Sequence, residues 1–364
     1  MSVLGTTEMT SGFLFNQEDL HTLCRDRPLI TPEIHEPNDF YGHAATLKKY
    51  AGFPDRYPLK AVLEHGLFFD DWMWDVDRSA RLPLFFSNSA HRARIQTRET
   101  GKSSIPIGFG FLYAMSTFRT IHENEEAKDI RRGTIVFPSH STHHVKAVYD
   151  HEAYAGTLDA LPDRYKPVTV CIYWKDFLHG YHSPYEKKGF RIVTAGHIFD
   201  PDFLYRFYDI CRHFKYSTSN NIGGHLFYSV KSGCSFFYTP SNAITHEVHA
   251  DVPVGGFTSM FGVIKEKMLS LFSEPKEAMD REQMEFVDEY IGTSYFKCRE
   301  ELKDLFRIAE KKDKAWNKVV FPGNEKSSLL SALPTYWQRK LHFIPTNVLR
   351  AGSRIRKSLG GSNE

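Results

Sequence analysis

The chain has 364 residues, 41% of them hydrophobic and 14% aromatic, with a net charge of +2. That length and apolar content support a large core, favour two domains over one and exclude a disordered scaffold. No run of ~18 apolar residues occurs, and the N-terminus "MSVLGTTEMTSGFLFNQEDL" has no basic stretch leading into an apolar one, so neither a membrane span nor a secretory leader is expected.

From the N-terminus, "LKAVLEHG", "LPLFFSNS", "AHRARIQTRETG" and "SIPIGFGFLYA" alternate strand-like and helical runs and predict an α/β lobe over residues 1–125. Its conspicuous polar element is "VLEHGLFFDD". Glu64 and His65 end an apolar run and precede Gly66, a position suited to a turn after a strand. A carboxylate beside an imidazole there is able to take a proton from a hydroxyl; the alternative is a structural turn with a hydrogen-bonded histidine.

The charged stretch "HENEEAKDIRR" reads as a linker. Over residues 126–275, "GTIVFPS", "PVTVCIYW", "GFRIVTAGH", "KYSTS" and "SFFYT" read as buried parallel strands. The helical patterns "DHEAYAGTLDALPDRY", "DPDFLYRFYDICRHF" and "IGGHLFYSVKSG" lie between them. This is a Rossmann-like half. The cysteines are five, an odd number, and Cys171 and Cys211 sit in apolar runs, which points to reduced thiols and a cytoplasmic protein. Residues 276–330 are expected to form helices packing across the lobes.

Open parallel sheets bind ligands beyond the carboxyl ends of their strands. There this sequence places "FPSHSTHH", "WKD", "TAGHIFD" with His197, and "STSNNIGGH". In the last, Ser217, Thr218, Ser219 and Asn220 offer hydroxyl and amide groups, and Gly223 opens the backbone where a helix begins. Two readings stand: a phosphate cradle at a helix start, or ordinary helix capping. Four polar strand ends in one lobe favour the first. No G-x-x-x-x-G-K-[ST] and no helix-opening G-x-G-x-x-G occurs, which argues against a P-loop enzyme or a dehydrogenase. His140 and His144, with Asp150 and Glu152 nearby, keep a zinc site as the rival reading. They lack the glutamate that follows the first histidine in a metalloprotease helix, so no metal and no cofactor is expected.

Over about residues 55–310, the order E-H-G, "FFSNSAHRARIQTRETGKSSIPIGFGFLYA", "GTIVFPSHSTHHV", "VTVCIYWKD", "RIVTAGH", "YSTSNNIGGHLFYSVKSGCSFFY" and "EFVDEYIGTSYFKCREELKDLF" resembles bacterial GT-B-type glycosyltransferases of surface polysaccharide assembly. The resemblance implies two Rossmann-like lobes facing a cleft. The C-terminal lobe would hold a nucleotide sugar, and the N-terminal lobe would hold a saccharide or lipid-linked acceptor and the base. It implies that Ser139, His140, Ser141, Ser217, Thr218, Ser219 and His225 lie near the donor phosphates, with Thr142 beside them. Lys175 would add positive charge, and Asp176 would orient it or bind a ribose hydroxyl. "FPSHS" and "STS" are similar in position to the His-Pro and serine motifs of sialyl- and Kdo-transferases, although here Pro138 precedes the histidine. A polyol-phosphate transferase and a non-catalytic nucleotide-binding module are the other readings of this architecture; no nucleic-acid partner is expected.

Residues 331–364 carry six basic residues against one acid, a net +5 that leaves −3 for residues 1–330. Interspersed Leu333, Trp337, Leu341 and Phe343 make this a basic amphipathic tail. It is suited either to an anionic membrane surface, which would make the protein peripheral on the inner face of the cell membrane, or to a solvated end held by apolar anchors.

Overall fold

The computed structural model describes residues 17–122, 131–142, 145–241, 244–248 and 262–320. The basic tail and His144 lie outside the described residues. Two helices, α1 (Gln17–Cys24) and α2 (His43–Ala51), come first. A three-stranded parallel sheet follows, in the order β1 (Val62–Leu63), β2 (Leu84–Ser87), β3 (Ser103–Pro106). The short α3 (Asp75–Arg78) and then α4 (Ala90–Thr100) connect its strands. Ser89 caps α4 by accepting from Arg92 N–H, and Gly101 ends it in the left-handed conformation. After β3 the chain enters α5 (Gly110–Ile121).

The second unit runs β4 (Thr134–Val136), β5 (Val145–Val148), α6 (His151–Asp159), β6 (Val168–Cys171), α7 (Trp174–Leu178), α8 (Ser183–Lys187), β7 (Arg191–Val193), α9 (Phe203–Cys211), β8 (Tyr216–Ser219), α10 (Gly224–Lys231), β9 (Ser235–Tyr238) and β10 (Thr245–Val248). Five of these strands form a parallel sheet in the order β7-β6-β4-β8-β9; β5 and β10 pair separately and antiparallel. The strands read from the apolar runs are therefore present, and the pattern is the mixed α/β one expected. The β5–β10 pair was not anticipated, because "VKAVYD" and "THEV" carry no long apolar run.

Helix α5 and the last helices join the two sheets, and α1 packs on the second. Helix α5 is apolar on two faces: Tyr113 enters the core of the first sheet, while Phe111, Ala114, Met115 and Phe118 pack with Phe207, Tyr208 and Phe227 beside the second. Helix α1, first in the chain, packs through Leu20 and Cys24 on Trp174 and Phe177 of the second unit. The last helices divide their contacts. α11 (Gly262–Phe272) and α12 (Arg281–Ile291) bury Met268, Phe286 and Val287 beside the second sheet, and α13 (Arg299–Val320) returns Leu302, Phe306 and Ala309 to the first. Among the described residues no helix is long and apolar enough to cross a membrane.

Candidate functional site

From β4 the chain steps outward to β6 and β7, then returns past β4 to place β8 and β9 on its other side. At such a reversal the neighbouring carboxyl ends diverge and leave a crevice. The loops after β4 and β8 meet there. Ser139 N–H donates to Asn220 Oδ1 at 2.7 Å, and Asn221 Nδ2 donates to Ser139 Oγ at 3.3 Å. "FPSHS" and "STSNN", distant in sequence, thus share one edge of the crevice.

The loop after β4 is braced from α7. Ser141 N–H donates to the Asp176 carboxylate at 3.1 Å, and Lys175 Nζ donates to the Thr142 carbonyl at 2.9 Å. Burial pushes the Asp176 carboxyl up to about 7, against the hydrogen bonds from Ser141 and the charge of Lys175, which pull it down. Lys175 and Asp176 therefore hold the 139–142 segment in place rather than projecting into the crevice as the sequence suggested.

The hydroxyl run divides in the same way. Ser217 and Thr218 are fully buried inside β8, where Ser217 Oγ pairs with Ser229 Oγ at 2.8 Å and Thr218 Oγ1 with Thr239 Oγ1 at 2.6 Å. They join the strand to α10 and to the segment after β9. Ser219 Oγ accepts Asn221 N–H at 3.0 Å and shapes the turn. His197 is also structural: it is fully buried, accepts Phe199 N–H at Nδ1 and packs 3.9 Å from the Trp174 ring. Asn220 is buried too, its amide joining Ser139 N–H to Ser241 Oγ, so that Asn221, Gly223, Gly224, His225 and His140 stand at the crevice itself. Helix α10 starts at Gly224 without a side-chain cap, which leaves its first N–H groups unsatisfied by side chains. His140 and His225 are half-buried; His140 packs 4.5 Å from the Tyr173 ring, and His225 Nε2 lies 3.1 Å from the Asn221 carbonyl.

Tyr41, from the loop before α2, reaches the same place and was missed by sequence reasoning. Its N–H donates to the Ile198 carbonyl at 2.6 Å, and its backbone is in the left-handed region at φ 56. A non-glycine residue held there costs about 1–3 kcal/mol, a strain that recurs at ligand sites. Gly42 follows at φ 73, and a Cβ on it would stand 2.3 Å from the Pro201 carbonyl oxygen. The hydroxyls of Tyr41 and Tyr173 are neighbours without a hydrogen bond of good geometry, and Tyr228 packs near Tyr41 with its own hydroxyl over Gly224. Burial raises the pKa of all three tyrosines, so they serve as neutral hydrogen-bonding groups. The sequence signal was the aromatic-Gly-His run "FYGH" ahead of a helix.

On the first-sheet side, Glu64 and His65 follow β1 as expected. Glu64 is committed: Oε1 accepts from Arg92 Nε at 2.5 Å and Oε2 from Asn88 N–H at 2.9 Å. His65 is 9% exposed, lies 5.4 Å from the Phe40 ring, and has an unpartnered Nδ1. Burial lowers its pKa; Asp77 opposes this more than Glu64 does, and His35 adds to it. Asp77 itself holds His35 Nε2 at 2.8 Å. His43 is also buried, with Nε2 unpartnered and its ring so close to α5 that a Cβ at Gly110 would lie 2.3 Å from Nδ1.

Among the described residues no group of three or more His, Cys, Asp or Glu is disposed to hold a metal ion. No known protein family matches the chain, and no curated protein does. Solved structures similar in part include Anabaena HepE in complex with UDP, at 11% identity over 74% of this chain and 76% of that one with a TM-score of 0.30, and a glycosyltransferase from Rickettsia africae, at 10% over 74% and 72% with a TM-score of 0.27. Likeness of this degree carries no argument about activity.

Proposed function

We propose that the protein is a glycosyltransferase that moves a sugar from a nucleotide-sugar donor to a saccharide or lipid-linked acceptor in surface polysaccharide synthesis. The observation that carries this reading is the joining of the loops after β4 and β8 at the reversal point of the second sheet, beside the uncapped start of α10. Unsatisfied N–H groups and two imidazoles favour an anion such as a phosphate group, and preorganised donors of this kind stabilise charge developing on a departing nucleotide.

In this reading residues 126–275 form the donor lobe and residues 1–125 the acceptor lobe of a GT-B-like pair, with residues 276–330 bridging them. His65 takes the proton of the attacking acceptor hydroxyl; it keeps a ring nitrogen without a partner, whereas both carboxylate oxygens of Glu64 are committed to Arg92 and Asn88. Transfer is metal-independent, so EDTA leaves the rate unchanged. The basic tail holds the enzyme on the cytoplasmic face of an anionic membrane, where a lipid-linked acceptor resides.

A thermal-shift panel of UDP, GDP, CMP and CDP tests the reading. A nucleotide at ~100 times its Kd adds ~2.7 kcal/mol of stability. A panel without any shift removes the donor site, and a shift with CMP alone replaces the diphosphate donor by a CMP-sugar.

A further inference from the structure

His140 and His225 approach the crevice from different elements, one in the loop after β4 and the other in the first turn of α10. The Asn221 carbonyl beside His225 Nε2 only accepts hydrogen bonds, so Nε2 carries the hydrogen and Nδ1 holds a lone pair. That lone pair lies against the helix start: a Cβ at Gly223 would stand 3.2 Å from Nδ1. A proton on Nδ1 places a cation against the positive end of α10 and beside the His140 imidazole. Burial, then His140, hold His225 down to about 3, against the bond to Asn221, which raises it.

The surrounding groups do not relieve this. Lys175 is a cation committed to the Thr142 carbonyl, and Asp176 is committed to Ser141. Tyr41, Tyr173, Tyr228 and Tyr238 are neutral, their pKa values raised by burial. Among the described residues no carboxylate bears on His225. A diphosphate seated here reverses the balance, since each of its charges favours an imidazolium beside it.

We propose that the donor diphosphate binds between His140 and His225 together with a proton taken up from solvent by this imidazole pair. The inference rests on the donor-site reading above and adds that the site selects a multiply charged phosphate group and couples its capture to pH.

Isothermal titration of the full chain with UDP-, GDP-, ADP- and dTDP-glucose tests it, because their diphosphate diesters stay fully ionised near neutral pH. In two buffers of different protonation enthalpy, the expected result is net proton uptake on binding, with affinity tightening up to about tenfold for each pH unit lowered between pH 8 and 7. His225→Gln, which keeps a donor for the Asn221 carbonyl, and His140→Gln each reduce the uptake. Binding without proton exchange and with pH-independent affinity overturns the coupling and leaves the donor site standing. Uptake unchanged in both variants overturns the assignment to these histidines. Binding of none of the four overturns the diphosphate site together with the proton coupling, and the nucleotide panel then decides whether a donor site of another class remains.

Discussion

Glu64 and His65 are adjacent in the chain but do different work, and the difference lies in what each side chain touches. Arg92 donates to Glu64 and also to the Asp70 and Trp72 carbonyls, at 2.6 and 2.9 Å, so the ion pair fixes the loop after β1. Both partners are almost wholly buried. Removing the charge of one leaves the other uncompensated, so Glu64→Gln is expected to destabilise the protein by about 3 kcal/mol, visible as a lower urea midpoint. An unshifted midpoint would return Glu64 to a purely chemical role. His65→Ala, by contrast, is expected to lower kcat by about 100-fold or more with nucleotide affinity near wild type, since a general base acts in the chemical step. Calorimetry alongside single-turnover rates separates the two effects, and a loss confined to nucleotide affinity would remove His65 from the acceptor side.

The segment Phe40–Gly42 shows how one loop is made to reach across the molecule. Gly42 and Gly52 both have left-handed backbones, at φ 73 and 77, yet Gly42 faces the Pro201 carbonyl while Gly52 has open space. Alanine at position 52 is expected to cost about 1–2 kcal/mol through the backbone conformation. At position 42 the same change adds a collision with main chain, and is expected to cost several kcal/mol and to weaken nucleotide binding by displacing Tyr41. Chemical denaturation of the two variants, with nucleotide titration of each, checks both points; equal costs would mean that the loop docks loosely. Helix α5 is comparable at larger size. Its apolar residues serve two cores, a division that the run "GFGFLYA" alone does not reveal.

For the molecule as a whole, buried titratable groups give stability a pH dependence with two opposed parts. The Asp176 pKa is raised in the fold to about 7, above the ordinary aspartate value of about 3.9. Between these values the native state binds the extra proton, so its contribution falls as pH rises through that window, by about 1.4 kcal/mol per unit, and is flat above it. His43 has the opposite sign: burial, then the charge of His65, hold it down to about 3, so its contribution is complete above the ordinary histidine value and is lost as pH falls towards 3. Asp176→Asn keeps an acceptor for Ser141 N–H and removes the first part. The stability difference between variant and wild type is therefore expected to grow in the variant's favour from about pH 4.5 to 6.5 and to level off above pH 7. Urea denaturation across that range checks it, and a constant difference would show an ordinary carboxyl.

Much of the fold was legible because its causes are local. Short apolar runs such as "TIVF" and "VTVC" have few alternatives to buried parallel strands, and the polar residues after them fall at carboxyl ends wherever the sheet is parallel. The sequence by itself therefore determined the second sheet's strands, the helices α6, α9 and α10 between them, and the neighbourhood of Ser139, His140, Asn220 and His225, but not the short α7 and α8 between β6 and β7. Only the tertiary structure decided which polar groups remain available for a ligand. Ser217, Thr218, Ser219 and Asn220 all look like ligand groups by composition, but Ser229, Thr239, Asn221 N–H and Ser139 N–H satisfy them, partners that strand pairing, turn geometry and helix packing supply. Lys175 and Asp176 are drawn to the 139–142 backbone for the same reason, since buried polar groups take the nearest partner. Tyr41 enters the site through contacts with residues more than 130 positions away, made possible by a glycine against Pro201. The run "FYGH" marks a turn but not its destination, which depends on how the two sheets pack against each other.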